Sequence, residues 1–487
     1  MILEYPYSMR QYFLQTFCAI LLLASQAAAT WSIVVVNLAT GEVAIATATC
    51  IEGMNMRKIT PVILPGIGAA TAQCMIDTWG SRVMIHDGML TGDSLEQILI
   101  DLEAADARHQ LRQYGMVNMN GEALTFTGSS AGDWASGVTG QNGDLVYAIQ
   151  GNVLTDPLVV SSAEQALLQT PGDLGQKIMA SMEAAASFGG DGRCSCNMIQ
   201  PTSCGAPPPG SFKSAHIGCF IIARTGEELI SCSTNQGCAK GDFYLTINER
   251  DLFASDLDPV LLMRQDYDAW RQSMAGIPDA IHSEVIAPMN QINAAQPQVL
   301  TYVLSLADIN QQWIAQGGAS ISLGHSDQSQ VFATLQSVMD HQDGTYSVEV
   351  LSADEPGLDE LLFVVDDGSG PVTLWPPAKL VHTPWLKVGP LVSGQSATLS
   401  VTGAGVNTRV FFAYSAAGPG PFMTALGMVD LSPPIVRLAT LPADAQGNAS
   451  FTTTIPPGFS GIPIWSQSGV VGAVGAYLTN AEALFLE

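Results

Sequence analysis

The chain has 487 residues, with 18 Lys and Arg against 44 Asp and Glu and a formal charge of −26. That balance excludes a nucleic-acid partner, because phosphate contacts need clustered cations. Charged residues are only 13% while Gly (47) and Pro (27) are plentiful, the profile of a strand-rich extracellular protein, and at roughly 100–200 residues per domain the length holds two to four domains.

Residues 1–29 read as a secretory signal. Arg10 precedes the apolar run "FCAILLLA", and Ala27 and Ala29 occupy the −3 and −1 places of an A-x-A cleavage site. The run is too short for a transmembrane anchor of ~20 apolar residues. Removing the signal takes Cys18 with it and leaves eight cysteines between Cys50 and Cys238. An even number in an exported chain implies disulfides. Cys194, Cys196 and Cys204 could instead hold a metal, but paired C-x₂-C motifs are missing and the expectation is no metal and no cofactor.

The mature chain opens with the strand "TWSIVVV", turns at Gly41 and returns as "VAIATATC". "GIGAATAQC" is a third strand. In "GDSLEQILIDLEAAD", Ser94 and Gln97 stand at capping-box spacing, and Leu95, Ile98, Leu99 and Leu102 share one helical face. Asn120-Gly121 marks a hairpin within "YGMVNMNGEALTFTG", and "GDLVYAIQGN" is a further strand. Two helices follow, "PLVVSSAEQALLQ" and "DLGQKIMASMEAAAS". Strands return as "SAHIGCFIIART", "ELISCST" and "FYLTINE", before a helix in "DPVLLMRQDYDAWRQSM". This order predicts an α+β fold, two antiparallel sheets face to face with helix pairs outside, in four layers αββα, over residues 30–275.

Residues 276–298 read as a linker with some helix. From Val299 the chain becomes short alternating strands. "DGTYSVEV" followed by "VVDDGSGPV" resembles bacterial Ig-like modules, so residues 299–382 are expected to form an Ig-like β domain and residues 383–487 a second all-β domain.

Four stretches could carry chemistry. A cut after Ala29 would make Thr30 the first residue. An N-terminal threonine supplies a hydroxyl nucleophile and, in its α-amine (pKa about 7.7–8.0), a base. "GSSAG" (Gly128–Gly132) matches G-x-S-x-G, but the loop "DWASGVTGQNGD" follows where a nucleophile elbow needs a helix, which argues against Ser130. In "YAIQGNVL", Gln150 and Asn152 flank Gly151 at a strand end, where amides can donate to an oxyanion. In "FGGDGRC", Asp191 and Arg193 follow a helix end and can pair with each other.

"TWSIVVVNLATGEVAIATATC", "GIGAATAQ", "LRQYGMVNMNGEALTFTG", "YAIQGNVL" and "GGDGR…KSAHIG" occur in this order. Together they resemble domain-of-unknown-function family 1028, whose fold is similar to the N-terminal nucleophile (Ntn) hydrolases. The resemblance spans residues 30–274. It implies Thr30 as nucleophile, and it matches Gln73, Arg112, Gln113, Gln150, Gly151, Asn152 and Asp191 to recurring positions of the family. One departure stands out. A cysteine-bearing insertion separates Arg193 from Lys213-Ser214-Ala215, and Lys213 replaces the usual Gln.

The expectation is therefore a secreted Ntn-type amidohydrolase. Thr30 would attack a small amide or peptide, Asn152 would supply the oxyanion donor, and Gln73, Arg112, Gln150 and Asp191 would line the substrate site. The alternative is a non-enzymatic extracellular or cell-surface protein on the same scaffold, its partner being cell-surface material, with a homo-oligomer left open.

Overall fold

The computed structural model describes residues 29–76, 80–208, 212–458, 460–472 and 475–487. The expected signal segment, apart from Ala29, lies outside the described residues. The chain divides into two compact units, one ending at Ser273 and one starting at Met274.

In the first unit, β1 (Thr30–Asn37) and β2 (Glu42–Thr49) form the hairpin that Gly41 closes at φ 71°. Next come a short helix, α1 (Met56–Ile59), and a second hairpin of β3 (Pro61–Leu64) and β4 (Gly68–Gln73). Two helices follow, α2 (Ser81–Thr91) and α3 (Leu95–Ala105). Ser94 caps α3 by accepting from the Gln97 amide. Then β5 (Gln113–Asn118) and β6 (Ala123–Thr127) turn at Asn120-Gly121, and β7 (Ser136–Asn142) precedes β8 (Leu145–Asn152). The helices α4 (Leu158–Gln169) and α5 (Leu174–Ser187) pack together, α5 starting on a reciprocal Asp173–Gln176 capping box. A single turn, α6 (Gly192–Ser195), leads to β9 (Ile217–Ala223), β10 (Leu245–Glu249) and α7 (Pro259–Ser273).

The strands make two antiparallel sheets, β10-β9-β2-β1-β8-β7 and β3-β4-β5-β6. Period-two alternation sends opposite faces of β1 to different cores. Trp31, Ile33 and Val35 meet Ile178, Met182 and Met263 from α5 and α7. Val34 and Val36 meet Ile63, Ala69 and Val117 of the second sheet. On the far face of that sheet, Ala70, Tyr114 and Met116 pack against Ile85, Ile98 and Leu102 from α2 and α3.

Two expectations are corrected. The stretch "ELISCST" is not a strand. Cys232 and Cys238 are joined by a disulfide that closes a tight loop, which leaves only the isolated bridge Ser233↔Gly237. The segment 276–298 holds no helix. Its Glu284–Ile286 pairs with Val299–Ser305, and its Gln291–Asn293 pairs with Ala378–Thr383, so apolar alternation draws both pieces into sheets.

The second unit is all-β. A four-stranded and a five-stranded sheet enclose Tyr302, Leu304, Tyr346 and Val348 against Leu361, Phe363 and Leu380. A further set of strands from Trp385 onward encloses Leu386, Leu399, Val401, Val410, Phe412 and Val470.

Of the eight cysteines, six pair as Cys50–Cys194, Cys196–Cys204 and Cys232–Cys238. Cys74 and Cys219 are buried thiols. No helix among the described residues is long and apolar enough to cross a membrane.

Glu227 lies on the turn after β9. Burial raises its carboxyl to about 7, against the pull of hydrogen bonds such as that from the Tyr244 amide. A carboxyl raised above its unfolded value holds its proton longer in the folded chain. Its stabilising contribution is complete below about 4.5 and is lost as pH climbs to about 7. Glu227→Gln should therefore flatten the decline in first-unit stability between pH 5 and pH 8, read from urea transitions at each pH. An unchanged slope would contradict it.

Candidate functional site at the head of the first strand

The space between the two sheets changes character along its length. At one end it is filled by Val34, Val36, Val43, Ile45, Val117, Val146 and Ala148. At the other, the same faces of the same strands carry Thr30, Ser32, Thr47, Thr49, Thr71, Gln73, Gln113, Gln150 and Asn152, all buried. Buried polar groups need partners, and most of these supply one another, Gln150 Oε1 excepted. Ser32 Oγ donates to Gln73 Oε1 at 2.6 Å and Gln73 Nε2 donates to Gln113 Oε1 at 2.8 Å. Gln73 Nε2 also donates to the Thr30 carbonyl at 3.0 Å. Gln113 Nε2 reaches the Gly151 carbonyl at 2.9 Å and Thr127 Oγ1 at 2.9 Å. Gln150 Nε2 donates to Thr71 Oγ1 at 2.7 Å. It has room to do so because Gly115 lacks a Cβ, which would stand 2.1 Å from Gln150 Oε1.

Thr30 sits at the head of β1, opposite Thr49 on one side and Asn152 on the other. It is 2% exposed, and the void beside it measures about 10 Å³.

The peptide carbonyl just before Thr30 belongs to Ala29, which is fully buried. Two donors hold it: the Thr49 hydroxyl, and Arg193 Nη2 at 3.1 Å. Arg193 is aimed there by Asp191, which takes Nη2 at 2.8 Å and Nε at 3.1 Å, a two-point clasp. Asp191 is itself wholly enclosed and also accepts from the Cys50 amide at 2.7 Å. The turn that delivers Asp191 needs Gly190, whose φ is 57° and whose Cβ would lie 2.7 Å from the Trp31 ring. The Cys50–Cys194 disulfide then ties this turn to the end of β2. Arg193 also lines a cleft of about 360 Å³, walled partly by Met198, Ile199 and Pro201. All three lie inside the Cys196–Cys204 loop, so the insertion flanks this region.

Around Thr30 the structure gathers Gln73 and Asn152, with Gln150 deeper between the sheets and Asp191 acting through Arg193. Arg112 stands apart. Its Nε pairs with Asp106 at 2.8 Å, and Nη1 lies 3.4 Å from the Met75 carbonyl. Ser130 is exposed on a loop, with no helix after it. Lys213 donates to the Phe253 carbonyl at 2.8 Å. Cys50, Cys194 and His216 cluster within 4.8 Å, but the two sulfurs are bonded to each other and offer no thiolate. Sequence reasoning read Arg193 only as a partner of Asp191 and passed over Thr49, Ser32 and Thr47. The signal for the last three was present: Thr30/Ser32 and Thr47/Thr49 each repeat at spacing two on strands otherwise apolar on that face.

Residues 30–199 match the family described as "Family of unknown function (DUF1028)". Sequence comparison with curated proteins finds no match. Among solved structures, a protein from Silicibacter pomeroyi bearing the same family description is 17% identical. It covers 50% of this chain and 86% of that one, with a TM-score of 0.36. The Escherichia coli adhesin FdeC is 11% identical over 94% of this chain and 99% of that one, with a TM-score of 0.22. Invasin, a bacterial integrin-binding protein, is 12% identical over 56% and 46%, with a TM-score of 0.19. At such scores these likenesses fix neither the fold nor the function of the chain.

The amide chain predicts its own failure. Gln73→Leu strips Ser32, Gln113 and the Thr30 carbonyl of a shared partner. It should destabilise the first unit by about 1–3 kcal/mol for each group left buried and unpaired. Urea unfolding followed by Trp fluorescence should show that loss, while the exposed substitution Gln328→Leu leaves the transition in place.

Proposed function

We propose that the chain is an extracellular or cell-surface protein that works by binding, with a disulfide-tied first unit and an all-β second unit. The observation that carries this reading is the internal engagement of the amides around Thr30. With Ala29 still joined to Thr30, the void beside it is about 10 Å³, room for roughly one water. The side chains expected to grip a substrate, Gln73 above all, are engaged in internal hydrogen bonds. The three disulfides suit an oxidising compartment.

A second reading is favoured by one specific observation, the hold of Arg193 and Thr49 on the Ala29 carbonyl. If the export cut falls after Ala29, that carbonyl leaves and its donors face the new α-amine of Thr30. The helix–sheet–sheet–helix stacking of the first unit supports an Ntn-type fold, in which such a threonine would act as nucleophile on a small amide or peptide. Because Ala29 is fully enclosed in the folded chain, the cut would precede closure of the sheets.

Mass analysis of the exported chain, followed by an electrophile directed at N-terminal threonine and a panel of amide and peptide substrates, separates the two. The binding reading expects neither label nor turnover. Labelling at residue 30 that disappears in Thr30→Ala, with turnover lost in parallel, would replace it with the hydrolase reading.

A further inference from the structure

The strands from Trp385 onward form two sheets that share a core. One holds Trp385–Val388, Ser396–Thr402 and Ala449–Thr454, and the other is built on Arg409–Ser415 and Pro463–Gly472. A sandwich of this kind normally fills with one continuous core. Here the core is split. Leu399, Val410 and Phe412 belong to one buried cluster, and Leu391, Ile455 and Leu486 belong to another. A cleft of about 410 Å³, open to solvent, is walled by members of both: Leu399 from the first, and Leu391, Ile455 and Leu486 from the second.

The lining narrows the occupant. Leu438, Ile462, Ile464 and Leu484 extend the aliphatic walls, and Tyr414 supplies the one aromatic ring among the described lining residues. None of those residues is charged, so an ion drawn into the cleft would lose hydration with nothing to pair it. Hydroxyls are on offer instead. Tyr414 and Thr453 line the cleft and are half-buried, and their oxygens hold no bond to another residue and are not sealed from the surface. Size and shape narrow it further. A methylene takes about the room of a water in the liquid, roughly 30 Å³, so the cleft accommodates a chain of about a dozen carbons. A helix, about 10–12 Å across with its side chains, is too thick for the gap between sheets packed about 10 Å apart. An extended peptide would leave its amides unpaired against aliphatic walls.

We propose that this cleft binds an uncharged single-chain lipid, its alkyl chain between the two sheets and its hydroxyl-bearing head beside Tyr414 and Thr453. The chain fills a void that the sandwich otherwise keeps at a cost in lost packing. The head exchanges hydrogen bonds with side-chain hydroxyls that both donate and accept. A carboxylate head finds no cation in the lining and meets a chain of net charge −26. The site lies wholly in the second unit and rests on neither reading of Thr30.

The test is calorimetric titration of the whole chain with 1-dodecanoylglycerol, beside dodecanoate, dodecyltrimethylammonium and glycerol, each below its micelle concentration. The glyceride should bind, the two charged amphiphiles should bind about tenfold or more weakly, and glycerol should not bind. Thr453→Phe, which fills the cleft from within, should raise the melting temperature of the second unit and weaken glyceride binding by about tenfold or more. Ala416→Trp, at an exposed position of the lining, should weaken it similarly with the melting temperature unchanged, and so keeps the test alive if the Phe variant fails to fold. Tyr414→Phe should cost about threefold, the loss of one hydrogen bond to the head. Thr30→Ala should bind as the parent chain does, so failure here is distinct from failure of either reading at Thr30. The proposal is overturned if the glyceride does not bind, if the folded cleft variants bind it as the parent does, or if either charged amphiphile binds as tightly, which would make the cleft an unselective apolar surface.

Discussion

The first unit depends on a chain of buried hydrogen bonds from Ser32 through Gln73 to Gln113 and on to the Gly151 carbonyl. It crosses from one sheet to the other and back. Apolar side chains could hold two sheets together over their whole length, and at one end they do. Dispersion and burial, however, specify a distance rather than a register. An amide chain with few free partners allows one alignment of β1, β4, β5 and β8, since a shift by one residue would turn the amides into the helix-facing cores, among residues such as Ile33, Ile149, Ala72 and Tyr114. The head of β1 is thereby placed to within a hydrogen bond.

That placement gives meaning to the Asp191–Arg193 clasp. A guanidinium arriving across 164 residues of sequence needs a fixed target, and it needs its own direction fixed. Asp191 sets the direction and the Cys50–Cys194 bond holds the turn against β2. The target is a backbone carbonyl that the amide chain keeps still. Under the binding reading this is a rigid, closed seam. Under the hydrolase reading it is a seam that an earlier cut would leave open beside Thr30.

What was legible in the sequence follows from how local each cause is. The β1–β2 hairpin rests on Gly41 and on period-two apolar residues, and α3 rests on Ser94 and one helical stripe. Both are short-range causes, and both elements were found. The stretch "ELISCST" misled because its composition favours a strand while a six-residue disulfide loop forbids one. The segment 276–298 misled because three-residue strands exist only by pairing with partners tens of residues away. At the site, Thr30, Gln73 and Asn152 were legible from a family resemblance. The role of Arg193 was not, because nothing local to "DGRC" says that its guanidinium turns toward residue 29.

The Cys50–Cys194 bond joins residues 144 apart and so closes a covalent ring that includes the whole four-stranded sheet and β7 and β8 of the six-stranded one. In a compartment rich in proteases, such a ring changes what a single nick does. A cut in any loop between those two cysteines, including those at residues 128–135 and 153–157, opens the ring into a linear chain without releasing a fragment. The two flanking pieces stay joined through sulfur, each still seated in sheets that the other completes. A chain built this way can be clipped on its surface and keep its shape.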